Sequence, residues 1–116
     1  MAALSAVTPA NSGTTIAGAT VSSSDTIDQS LLGSKGALLE IINASGTPDT
    51  VTISDSGTTP AGSAATNPNG SVPATTGDKI FFIEPSQVNP STGLVTVTHT
   101  QTTSVTYKLY SLSGMV

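Results

Sequence analysis

The chain has 116 residues and a formal net charge of −4, with 9% charged and 36% hydrophobic residues, and Ser and Thr make up about a third of it. That length fits one domain burying about two thirds of the surface its unfolded chain exposes. With no arginine and only Lys35, Lys79 and Lys108 it lacks the clustered cations that neutralise phosphates, and with no cysteine it has neither disulfides nor thiolate sites, so neither nucleic acid nor a thiolate-held metal is expected.

Hydroxyls alternating with Val, Ile and Leu suit a pleated sheet, not a disordered chain, which high net charge and few apolar residues would mark. The opening "MAALSAVTPANSG" has no basic n-region, and Ser5, Thr8 and Pro9 interrupt its apolar residues, so it reads as mature protein. The densest apolar runs, "ALLEII" and "IFFI", are far shorter than the roughly 20 residues of a membrane helix, and no membrane partner is expected.

In chain order, residues 1–24 read as an extended, uncharged N-terminal arm with one weak strand, Thr15 to Val21. Such an arm is cheap to desolvate and can add to a neighbouring sheet edge, which makes Val7, Pro9, Ile16 and Val21 candidate partner contacts. In "SSSDTIDQSLLGSKG", Ser24 or Asp25 is a candidate N-cap, Ile27 and Leu31 stand at i, i+4, and Gly33 or Gly36 is a stop; one helical turn or a loop fits equally.

A single β-domain is expected over residues 25–116. "ALLEIINA", the turn "SGTPD" and the alternating "TVTIS" give two strands. A long Pro- and Gly-rich loop follows at about residues 55–78, with "NPNG" matching a type I turn. Loops of this length in a compact domain serve binding or are disordered, and Pro60 and Pro68 join the candidate contacts. "DKIFFIEP" reads as a strand with Phe81 and Ile83 on one face, Ile80 and Phe82 on the other, and both faces covered. Leu94 to Thr98 and Ser104 to Leu112 close the chain as a β-hairpin around "HTQTT". The fold class is therefore all-β, a small antiparallel sandwich or barrel of immunoglobulin-like or jelly-roll-like type.

Chemistry-bearing residues are sparse. A Ser-His-Asp relay would have to use His99, and the G-x-S-x-G turn is missing; the histidine reads as an exposed or half-buried sheet residue near a turn, replaceable by Ala. Asp25 and Asp28 lack the calcium-loop pattern and read as solvated caps. Glu40, inside "LLEII", either faces solvent or pairs with Lys79 or Lys108. "NAS" at Asn43 to Ser45 fits a glycosylation sequon and reads as a turn. Phe81, Phe82, Tyr107 and Tyr110 are assigned to the core. No catalytic residue, cofactor or metal ligand is assigned, and the chain is read as a non-enzyme.

The order "LLEIINASGTPDTVTIS", a Pro- and Gly-rich loop, "SVPATTGDKIFFIEPSQV" and "STGLVTVTHTQTTSVTYKLYSL" resembles head decoration, or cement, proteins of tailed bacteriophages, especially those of actinobacteria. The resemblance covers roughly Gly36 to Leu112, and the absence of arginine departs from the charged members of that group. It implies a structural virion protein on the capsid exterior, bound to the major capsid protein as an oligomer or as lattice-fixed copies. The alternative from another class is a tail- or fibre-associated immunoglobulin-like module that binds a host-surface glycan or protein.

Overall fold

In the computed structural model, which describes residues 2–8, 12–13, 18–55, 61 and 67–112, alternation in the sequence becomes two packed layers. Strand β4 (Ala37–Asn43) buries Ala37, Leu39, Ile41 and Asn43 and turns Leu38, Glu40 and Ile42 outward. β9 (Val105–Ser111) does the same with Val105, Tyr107, Leu109 and Ser111. Period-two burial of this kind fixes which face of each strand meets the core. The remaining strands are β1 (Ala2–Ala3), β2 (Ala19–Thr20), β3 (Ser24–Asp28), β5 (Asp49–Ile53), β6 (Asn69–Val72), β7 (Gly77–Ile83) and β8 (Leu94–His99).

The protein is a small all-β sandwich. One sheet has the order β1-β3-β8-β5-β6 and the other β2-β9-β4-β7, antiparallel throughout apart from β1 on β3. Ile27, Val51, Ile53, Val72, Val95 and Val97 from the first sheet meet Leu39, Ile41, Ile83, Val105 and Leu109 from the second, all at 0 or 1% exposure. Each such side chain contributes about 1.5–3 kcal/mol on burial, and this shared core holds the layers together. The third side of the sandwich is closed by Phe81, whose ring leans over Gly70 of β6; a Cβ on that glycine would stand 3.0 Å from the ring.

The expected C-terminal hairpin is not formed. β8 pairs with β3 and β5, β9 pairs with β4 and β2, and residues 100–104 cross from one sheet to the other. The faces were legible and the partners were not. Val95 and Val97 and the Val105, Tyr107 and Leu109 row are both core faces, and placing them on opposite layers lets each cover the other across the roughly 10 Å between sheets. Ser104, at φ +58°, takes the left-handed conformation at the end of the crossing. β4 and β5 are likewise split between sheets. Among the described residues, β5 and β6 are the consecutive strands that bond to each other.

The stretch expected as a helical turn from Ser24 is mostly strand. β3 runs from Ser24 to Asp28 with Asp25, Thr26 and Ile27 buried, and the turn α1 (Gln29–Leu32) begins only after it. Its N-cap is Asp28, whose Oδ1 accepts from Ser30 N at 3.0 Å, not Ser24 or Asp25. Pairing with β8 over five residues outweighs the local helical spacing of Ile27 and Leu31. The Pro- and Gly-rich loop is also shorter than expected. "NPNG" leads into β6: Pro68 O accepts from Ile53 N at 2.9 Å, and Asn69 and Gly70 already pair with β5.

The described part of the arm lies on its own domain. Ala2–Ala3 extend the first sheet beside β3, Leu4 is buried, Val7 bridges in parallel to Tyr110 of β9, and β2 adds to the same edge of β9. The N-terminal segment thus passes from one sheet to the other and fastens both.

Candidate functional site

Polar chemistry inside the sandwich concentrates where strands cross between layers. Asp49 begins β5 with no exposed surface, and His99 ends β8 at 8% exposure. His99 Nδ1 stands 2.7 Å from Asp49 Oδ2, while Asp49 Oδ1 accepts from the backbone N–H groups of Thr100 and Gln101, both at 3.0 Å. His99 N donates to Ser23 O, and Thr50 N donates to Thr100 Oγ1 at 2.8 Å. The sheet histidine expected to be replaceable is therefore a buried partner. A buried carboxylate must be hydrogen-bonded or paired, and Asp49 spends both oxygens fixing the start of the crossing to β9. That employment is architectural.

A second network sits at the β4–β5 crossing. Asn43, fully buried, donates from Nδ2 to Thr47 O at 2.9 Å and to Val72 O at 3.3 Å, and its Oδ1 accepts from Ser45 N at 2.9 Å and Ser45 Oγ at 2.7 Å. The sequon asparagine is thus the terminal core residue of β4, its amide spent inside the fold. Asp25, also fully buried, accepts from the N–H and hydroxyl of Ser22, not from solvent. Neither role was readable from local composition.

The other candidate is a surface. The outward face of the β2-β9-β4-β7 sheet carries three rows in register: Phe82, Leu38 and Tyr110; Ile80, Glu40 and Lys108; Asp78, Ile42 and Thr106. Ile80 is 60% and Phe82 51% exposed, while Leu38, Ile42 and Tyr110 are half-buried. Both faces of β7 were expected to be covered and all four aromatics to lie in the core. The structure covers only the inner face, because no third layer lies over this sheet among the described residues.

Within this face, Glu40 Oε1 accepts from Tyr110 Oη at 3.0 Å. Burial, the Glu40 hydrogen bond, and the charges of Glu40 and Asp78 hold the Tyr110 phenol above its ordinary range. Lys108, directly opposite Glu40 in register, makes no ion pair among the described residues. Beside Lys108 the edge of β9 has a gap between the Val7 bridge and β2, a cavity of about 200 Å³ bordered by Ser5, Ala6, Val7 and Ala19.

The candidate contacts fall unevenly on this geometry. Val21 is 5% exposed and packs in the core. Val7 is half-buried on the edge of β9, and Pro68 is exposed beside β5. Pro9, Ile16 and Pro60 lie outside the described residues. The signal that finds the uncovered face is the continuous apolar run "IFFI", which at an edge strand must turn two large side chains away from the core.

No protein-family model, curated protein or solved structure matches this chain.

Proposed function

We propose that this chain is a structural virion protein that decorates the outside of a phage capsid and bridges major capsid subunits. The observation that carries the reading is the uncovered sheet face with Ile80 and Phe82. Large apolar side chains left exposed together on one sheet face mark a protein-docking site, here one beside the Glu40 and Lys108 charges that meets either the shell or a neighbouring decorating copy. The resemblance of Gly36 to Leu112 to phage cement proteins supplies the capsid as the assembly. Many copies that bind the assembled shell better than its separated subunits stabilise the shell by that difference.

The test is co-sedimentation of the recombinant chain with capsids stripped of it, purified from the phage that encodes it. The expected result is saturable binding at a fixed number of copies per capsid, weakened by Phe82→Ser. Protein that stays in the supernatant at every concentration overturns the reading.

A further inference from the structure

We infer that the uncovered face of the β2-β9-β4-β7 sheet pairs with the same face of a second copy of this chain, about a two-fold axis parallel to the strands and lying between β4 and β9. The inference rests on the reading of this face as a docking site and names its occupant.

The charge pattern selects that axis. Glu40 and Lys108 occupy one row on adjacent strands, so the centre of the face carries one negative and one positive group side by side, with Asp78 a second negative group out on the β7 edge. A two-fold axis along the strands exchanges β4 with β9, and each Glu40 then faces Lys108 of the second copy. An axis across the strands would set Glu40 against Glu40. Opposite charges brought together across a partly desolvated face favour the first arrangement, and like charges disfavour the second. The second Glu40 oxygen and the Lys108 ammonium gain charged partners that they lack among the described residues of one copy.

The same operation matches shapes. It exchanges β7 at one edge with the segments along the far edge of β9. Phe82 shares its row with Tyr110, to which Val7 is bridged, so each Phe82 lies over Val7 of the second copy. Ile80 shares its row with Lys108, which borders the cavity between Val7 and Ala19, so the most exposed large apolar side chain among the described residues is brought over that part of the β9 edge. Edge-to-edge pairing of β7 is the poorer option, because Phe81 and Lys79 already lean over Gly70 of β6 along that edge.

Sedimentation equilibrium of the full chain without capsids tests the inference. The wild type is expected to be a dimer at micromolar concentration. Glu40→Lys and Lys108→Glu each weaken it at least tenfold, and the double swap restores it. Ile80→Thr, at an exposed position that leaves the core intact, weakens it as well, which keeps the test decisive if a charge variant misfolds. A monomeric wild type, a folded double swap that does not restore association, or an Ile80→Thr chain that dimerises normally overturns the inference. Dimers that ignore capsids refute the capsid role and leave the inference standing; monomers that bind capsids do the reverse.

Discussion

His99 Nδ1 lies 2.7 Å from Asp49 Oδ2, across 50 positions of sequence, and the contact locks the end of one strand to the start of another just before the chain changes sheets. Replacing Asp49 with Ala strands the Gln101 N–H and the buried imidazole, and leaves Thr100 N only its 3.3 Å bond to Thr50 O. Each unsatisfied donor costs about 1–3 kcal/mol, so Asp49→Ala is expected to destabilise the fold by about 3 kcal/mol in chemical denaturation. His99→Ala costs less, and the double-mutant cycle shows coupling of about 1 kcal/mol or more. Additive effects would mean that the pair is not a working contact.

Asn43 makes the corresponding prediction for the β4–β5 crossing. Asn43→Ala removes the acceptor of Ser45 N and the side-chain donor to Val72 O and leaves Thr47 O with Ser45 Oγ, and a loss of about 2 kcal/mol is expected. Asn43→Asp fares no better, because a carboxylate accepts where the amide nitrogen donates. Stability equal to wild type in either variant would contradict the assigned network.

Gly77 starts β7 under the turn that precedes it, where a Cβ would stand 1.9 Å from Pro73 O and 2.8 Å from Val72 Cγ1. Backbone must move to admit it, so Gly77→Ala is expected to destabilise by about 1–3 kcal/mol. An unchanged melting temperature would refute that tight approach.

How much of this was legible in the sequence follows from what alternation encodes. Period two correctly grouped the inward residues of β5, β8 and β9, because hydrophobic burial acts on faces. It did not say which strands pair, since Val95 and Val97 satisfy a hairpin and a crossing equally well. His99 looked idle because its partner Asp49 is distant in sequence and sits in what reads as a turn. Ile80 and Phe82 were placed under a layer because an apolar strand normally has one, whereas here β7 is an edge strand of a two-layer fold. The helical spacing of Ile27 and Leu31 yielded to five residues of pairing with β8. Local preference loses where long-range pairing satisfies more of the backbone.

Tyr110 reports on the outer face in solution. Its phenol is raised by burial first, then by its hydrogen bond to Glu40, then by the Glu40 and Asp78 charges. A raised pKa means that the folded state favours the neutral phenol, so this contribution to stability is fully present below the ordinary tyrosine pKa and is lost as pH rises through the raised one. Glu40→Gln keeps an acceptor and removes the charge, and is expected to bring the Tyr110 midpoint down toward its ordinary value. Ring-resolved NMR titration measures it; an unmoved midpoint would contradict the Glu40 contact.

The proposed place of this domain on the outside of a capsid is tested most directly by electron cryo-microscopy of phage particles assembled with and without this chain. The expected result is β-sandwich density at regular symmetry positions across neighbouring capsid subunits, lost when the chain is deleted and restored when it is added back. Density confined to the tail, or particles identical with and without the chain, would contradict it.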